Sequence, residues 1–385
     1  MHDFSPQSAI ELLQALIRIP SVNPDGDPGT TRTGEAECAA RVGRFLESCG
    51  ATVTFDEVFP DRPNVIGHFP SRPAADGSPK PRVLFAPHTD TVGVGGMTVD
   101  PFGGERRDGR IWGRGASDTK GTMAAMLWAL WQLRDRLADL GASISFVGLM
   151  GEETGQPGAI HFAGKYRGQF DFAVVGEPTR LNAVITHKSV VWVEIATAGK
   201  AAHGASPERG ENAILAMTRV LEAIDTELRD ELAGYAHPLL GPSTVNIGMI
   251  RGGTRTNIVP DACTVALDFR ETPALHDAGG AIGKLGEFLQ RRGWAESVAV
   301  KPTVVTAPLA VDPENPFVQK LVALGAERTG APWYCDAGSL WNLGGIPSVA
   351  IGPGSIEQAH TVDEWLAVED FEAGVDFYRR FMESL

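Results

Sequence analysis

Five times along this chain a short apolar run breaks off into a loop that carries a histidine or a carboxylic acid. The first is Phe85-Ala86-Pro87-His88-Thr89-Asp90, and the second is Gly113-Arg114-Gly115-Ala116-Ser117-Asp118-Thr119-Lys120-Gly121. Gly151-Glu152-Glu153 follows the apolar run 144–150, Gly176-Glu177-Pro178-Thr179 follows Phe172–Val175, and His360 follows the run 348–352. A chain built this way is constrained to an α/β fold, because loops at the carboxyl ends of strands in such sheets converge on one crevice and bring sequence-distant side chains together.

His88, Asp118, Glu153, Glu177 and His360 supply three carboxylates and two neutral imidazoles. Two divalent cations bring four positive charges, and a bridging hydroxide cancels the remainder. The set is therefore self-consistent for two metal ions about 3.5–4 Å apart. Zinc is the expected metal, with cobalt or manganese as alternatives, and Asp118 is the acid chosen to bridge. Asp90, two residues from His88, is placed to accept that ring's second N–H and fix its tautomer. Glu152 and Glu153 are adjacent, and at an extended strand end neighbouring side chains point to opposite sides. One can then touch the metal while the other moves a proton.

These motifs resemble the co-catalytic zinc amidohydrolases and peptidases that include acetylornithine deacetylase, succinyl-diaminopimelate desuccinylase, aminoacylase and glutamate carboxypeptidase. The family's His-x-Asp matches His88 and Asp90, its bridging aspartate Asp118, its Glu-Glu pair Glu152 and Glu153, its Gly-Glu-Pro Glu177, and its last ligand His360. The resemblance covers nearly the whole chain. It implies that His88 and Glu177 hold one metal, Glu153 and His360 the other, and Asp118 both, with Glu152 as general base acting on a metal-bridging hydroxide.

The same resemblance implies further roles. His203, in Gly199-Lys200-Ala201-Ala202-His203-Gly204, is similar to the family histidine that crosses the dimer to stabilise the oxyanion. Asn257 and Arg270 match positions implied to bind a substrate α-carboxylate, a task that suits an arginine fork. Read without the resemblance, the loop Gly252-Gly253-Thr254-Arg255-Thr256-Asn257 is a hairpin turn. Gly354 and Ser355 are implied substrate-binding positions. The stretch Gly352-Pro353-Gly354-Ser355-Ile356-Glu357-Gln358-Ala359-His360 and the pair His187-Lys188 are most similar to acetylornithine deacetylase.

The expected activity is thus amide hydrolysis of an N-acyl-amino acid or short peptide by a homodimer. Succinyl-diaminopimelate desuccinylase and a dipeptidase or carboxypeptidase are alternatives within the family. Cys335-Asp336 stands where the desuccinylases place a hydroxyl residue, which weighs against the first. A non-catalytic metal or amino-acid binding protein on the same fold is the alternative from another class, and the presence of Glu152 weighs against it.

At 385 residues the chain exceeds the size at which one core stops growing, so two domains are expected. A net charge of -14 lacks the basic footprint that nucleic-acid binding requires. The N-terminal residues carry no basic stretch of the signal-peptide kind, and no apolar run approaches a membrane span. Cys38, Cys49, Cys263 and Cys335 show no metal-ligand spacing and are too sparse for a disulfide scaffold, which points to the cytoplasm.

Strands and helices alternate through residue 180, giving a zinc-peptidase-like α/β domain with a mainly parallel sheet between helices. Helices are expected at 6–19, 33–49, 123–133 and 158–166. From 190 to 305 the order becomes β-α-β-β-α-β, the layout of a ferredoxin-like α+β sandwich. Residues 1–180 and 306–385 are therefore assigned to the catalytic domain, with helices at 316–328 and 368–383. Residues 181–305 are assigned to an inserted lid and dimerisation domain.

Overall fold

The computed structural model describes residues 6–74 and 76–385; the reading of the N-terminus against a signal peptide falls partly on residues 1–5, outside the described residues. The chain divides into two compact units. One runs to Ile185 and takes up the chain again at Val311–Thr329 and Cys335–Leu385; the other is Thr186–Ala310 with Gly330–Tyr334.

The first unit is organised by a run of strands from a nine-stranded sheet, in the order Thr52–Phe59, Arg62–His68, Ser143–Gly148, Arg82–Ala86, Phe172–Val175, Ser348–Ala350 and then Ala183–His187, whose last two residues fall outside that unit. The three central pairings, from Ser143–Gly148 through Ser348–Ala350, are parallel. The flanks are antiparallel. The sheet is therefore mixed, parallel where the loops of His88, Glu153, Glu177 and His360 leave it; the Asp118 loop follows Arg110–Trp112, which lies in a separate antiparallel sheet. Val83, Leu84, Phe85 and Ala86 are all fully buried, as are Phe172, Ala173 and Val174. Such continuous apolar runs are what a parallel strand covered on both faces requires.

Helix Lys120–Leu133 is buried along nearly its whole surface and packs on helices Val368–Ser384 and Ala9–Ile17. Helix Ala36–Ser48 packs on the antiparallel strands, and Pro157–Lys165 packs on Asp336–Gly344. The first helix is shorter than its apolar run because Ser8 caps it, its hydroxyl accepting Glu11 N–H at 3.2 Å. The expected helix 316–328 is also shorter. It ends at Ala323, where Gly325 takes a left-handed φ of 106° and donates to Val322 O, and Arg328–Ala331 is a strand.

The second unit is a four-stranded antiparallel sheet in the order Thr244–Gly252, Ala262–Glu271, Ser189–Ala198, Val298–Val305. Alternate residues of the two middle strands, Val191, Val193 and Ile195 with Val265, Leu267 and Phe269, form a core with helices Ala213–Ala223 and Gly280–Arg291. Strand order and element order together are those of the ferredoxin-like sandwich. Its first helix runs on through a π-helical turn, Ile224–Leu228, into Arg229–Ala233. Among the described residues no helix is long and apolar enough to cross a membrane.

Candidate metal centre

Register carries the parallel strands past their formal ends. Leu149 N donates to Pro87 O at 3.0 Å and Thr89 N donates to Leu149 O at 2.7 Å, so the His88 and Glu152 loops leave the sheet side by side. Gly176 N reaches Ala86 O at 3.2 Å and Ile351 N reaches Val175 O at 2.9 Å, which brings the Glu177 loop and the Ile351 end into the same row. Thr119 Oγ1 donates to Gly176 O at 2.9 Å and ties the Asp118 loop to them; the Asp118–Thr119 peptide is cis.

One carboxylate lies at the centre of what results. His88 Nε2 is 3.0 Å from Asp118 Oδ1, while His360 Nε2 is 3.2 Å from Asp118 Oδ2. The two oxygens of Asp118 thus face different imidazoles. His360 Nε2 also lies 3.0 Å from Glu153 Oε2. Ligand atoms of His88, Asp118 and Glu153 fall within 4.8 Å of one another. Glu177 is 4% exposed, with Asp118 among the charges that act on it. His360 stands at the rim, its backbone at a φ of 57° and its side chain half exposed.

The structure departs from two expectations. The Glu152-Glu153 pair is not at an extended strand end. It occupies a 3-10 turn, Glu152–Thr154, entered through Gly151 at a φ of 74°. Asp90 does not make its closest contact with the His88 ring through its carboxylate: His88 Nδ1 is 3.0 Å from the Asp90 carbonyl oxygen and 3.4 Å from its carboxylate. The carboxylate instead accepts Glu152 N–H at 3.0 Å, Glu153 N–H at 3.1 Å and the Asn23 amide at 2.8 Å. Its stronger contacts hold the turn that carries the Glu pair.

The electrostatics follow from crowding. Burial lifts Glu152 and Glu177 well above the usual carboxylate range, reinforced by Glu177 in the first case and Asp118 in the second. Burial, with Asp118 beside it, lifts Glu153 to about 7. Burial also raises Asp336 to about 8; the neighbouring Asp90 and Glu153 charges add to this, and His88 opposes it. Burial would neutralise His88, but hydrogen bonds to Asp118 and Asp90 prevail and raise it well above its usual value. Hydrogen bonds to Asp118 and Glu153 raise His360 to about 10. Burial opposes ionisation of Asp118 as well, yet the two imidazoles hold its carboxyl below the normal range.

This many buried acids in one cluster cannot all ionise unless positive charge neutralises them. The donors are hard oxygens and imidazole nitrogens, which suit divalent zinc, cobalt or manganese, so the residues present fit a two-metal centre.

Three supporting residues, Glu364, Gln156 and Asn23, escaped the sequence reading, and Asp336 entered it only as the neighbour of Cys335. Glu364 is buried, and its carboxylate accepts N–H groups from Gly115 (2.9 Å), Ser117 (2.8 Å) and Asp118 (2.8 Å) besides pairing with Arg114 at 3.0 Å. Asp336, 1% exposed, has no hydrogen-bond partner for either carboxylate oxygen among the described residues. Gln156 and Asn23 reach Glu152 and Asp90. An acid four residues after a ligand histidine was the one available signal, for Glu364.

Gly354 takes a φ of 78°, and a Cβ there would sit 2.7 Å from Ser117 Oγ. Ser355 is buried; its N–H donates to Gln358 Oε1 at 2.9 Å and its hydroxyl accepts Glu357 N–H at 3.2 Å. His203, Asn257 and Arg270 belong to the second unit. His203 is exposed, with Nδ1 accepting Ala205 N–H at 3.0 Å, and Gly204 N donates to Asn257 O at 2.8 Å. Arg270 pairs with Asp268, Nε to Oδ1 3.0 Å.

The model of the peptidase family M20/M25/M40 matches residues 84–384. The acetylornithine deacetylase of Edwardsiella ictaluri is 31% identical over 375 residues, 94% of each chain. That of Proteus mirabilis is 30% identical over 387 residues, 97% of this chain and 96% of that one. Among solved structures, an M20 family metallo-carboxypeptidase from Sulfolobus solfataricus aligns over 98% of this chain and 99% of its own at a TM-score of 0.77 and 19% identity. A dinuclear metal binding peptidase of the M20 family from Bacillus subtilis aligns at 0.67 and 16%, over 98% and 97%.

Proposed function

Because this chain belongs to the peptidase family M20/M25/M40, and is thereby a metal-dependent hydrolase, we propose that it removes the acyl group from an N-acyl-amino acid, with acetylornithine as the substrate of choice. One observation carries the reading: the two oxygens of Asp118 are divided between His88 on one side and His360 with Glu153 on the other. That is the disposition a carboxylate shared by two cations requires. The choice of substrate is supported by curated relatives of that name, 30% and 31% identical over nearly the full chain.

His88 and Glu177 would hold one metal, Glu153 and His360 the other, and Asp118 both; zinc is our preferred ion. Such ions, when bound, polarise a carbonyl and acidify water. Glu152 takes the proton of the attacking water and delivers it to the amide nitrogen as the C–N bond breaks, so that a carboxylate and an amine leave. His203 of a partner subunit in a homodimer would stabilise the oxyanion. Asn257 and Arg270 would bind the α-carboxylate, and Gly354 and Ser355 would line the substrate. The second unit then serves as lid and dimer contact. A cytoplasmic setting agrees with four free, buried cysteines.

Parallel assays of the zinc-loaded protein on acetylornithine, succinyl-diaminopimelate and a small dipeptide panel test this reading. Preferential release of acetate supports it. Turnover of dipeptides with none of the acylated amino acids overturns it.

A further inference from the structure

Glu152 is held by a relay that ends on a different helix. Gln156 Nε2 donates to Glu152 Oε1 at 3.2 Å, and Gln156 Oε1 accepts the Ser339 hydroxyl at 2.7 Å. Gln156 is 1% exposed and Ser339 9%. Gln156 caps helix Pro157–Lys165 with a φ of 59°, a backbone region in which glycine or asparagine is the easier residue. Ser339 lies in helix Asp336–Gly344, which packs on that same helix.

Chemistry fixes the direction of the relay. An ionised carboxylate only accepts, so the amide must turn its NH2 to Glu152 and its oxygen to Ser339, which must then donate. Were the amide to flip, oxygen would face oxygen at Glu152. The ionised Glu152 disfavours the flip, and Ser339, whose hydroxyl is free to donate, anchors the amide oxygen. One oxygen of Glu152 is thereby occupied, and the other is left to meet the proton.

We propose that Gln156, anchored by Ser339, is a positioning residue that fixes which carboxylate oxygen of Glu152 receives the proton during amide hydrolysis. The inference rests on the reading of Glu152 as the general base. Gln156 touches neither metal ligand nor substrate in this scheme. Its removal should slow proton transfer and leave substrate binding alone. Misplacing a reacting group by about 1 Å can cost on the order of 100-fold in rate, so a loss of about 10- to 100-fold in kcat is expected.

Gln156→Met, Gln156→Asn, Ser339→Ala and the Gln156→Met/Ser339→Ala double variant are assayed as zinc-loaded full-length protein on acetylornithine, or on the panel substrate turned over fastest. Metal content and Tm are read alongside. Gln156→Asn keeps the amide and suits the left-handed backbone, but it is one methylene too short to reach both partners, so it separates positioning from folding. Expected are a reduced kcat for both Gln156 variants, KM and metal content as in the parent, and a double variant no slower than Gln156→Met. Parent kcat in Gln156→Met overturns the proposal, and so do losses that follow metal content or Tm in every variant. Glu152→Gln separates the two levels. If it is inactive while Gln156→Met is normal, the relay alone fails; if it is active, the reading of the base fails.

Discussion

Glu364 Oε1 accepts the backbone N–H of Asp118 at 2.8 Å, so the acid at the centre of the metal-ligand set is fixed by the loop that also carries His360. The same carboxylate takes two further amides of the Asp118 loop and the Arg114 guanidinium. Glu364 is 1% exposed at its side chain and Arg114 4%. Glu364→Ala leaves that guanidinium buried without its counter-charge. Breaking one side of such a pair costs about 3–5 kcal/mol, and denaturant unfolding of the metal-free variant should read a loss of that size.

Asp90 acts on the Glu152-Glu153 turn as much as on the imidazole. Asp90→Ala frees both turn amides and the Asn23 side-chain N–H. Loss of a group that orients ligands typically costs 10–100-fold in metal affinity, so zinc titration should show affinity weakened by about that factor with the fold retained.

What could be read in advance, and what could not, divides along a physical line. A parallel strand must be apolar throughout and must end in a loop, so His88, Glu153, Glu177 and His360 announced themselves by position; Asp118 follows Arg110–Trp112, a strand of a separate antiparallel sheet, and was legible from its glycine-rich loop instead. The supporting residues depend on register and loop conformation, which no periodicity encodes. Glu364 meets the amides of residues 115–118 only because of how two distant loops pack. Gln156 reaches Glu152 because the segment after Gly151 closes into a 3-10 turn instead of extending. The helix Asp336–Gly344 was missed because Gly338 and Ser339 interrupt its apolar pattern, and Asp336 and Ser339 went unplaced with it. The apolar run from 316 hid a glycine stop at 325, for the same reason that helix ends are set by single residues.

Stability of the metal-free protein should fall with rising pH. In the folded chain Glu153 keeps its proton to about 7 and His360 to about 10, against ordinary values of 4.5 and 6.5. The folded state then binds more protons than the unfolded one, and unfolding free energy declines as pH increases. The contribution is complete below the unfolded values and gone above the folded ones. Asp118 and Asp90, held low, oppose this only in acid. Calorimetry in chelator should therefore give a Tm that drops between pH 5 and 10, and saturating zinc should flatten the curve, because cations replace the protons.

The contact between the Glu177 loop and the His88 loop leaves no room at Gly176. A Cβ there would lie 2.7 Å from Thr122 Cγ2 and 3.0 Å from Pro87 Cβ. Overpacking of this kind costs about 1–3 kcal/mol, and Gly176→Ala should lower denaturant stability by that amount while also weakening metal binding, since the strain falls on the segment holding Glu177.

Metal stoichiometry read together with hydrolysis probes the account at its root. Elemental analysis of the zinc-loaded protein should find two ions per chain in the parent and neither in Asp118→Ala. Acetylornithine hydrolysis by the parent should vanish on exhaustive chelation and return with zinc. A chelated, metal-free parent that continues to hydrolyse its substrate at the full rate would contradict the account.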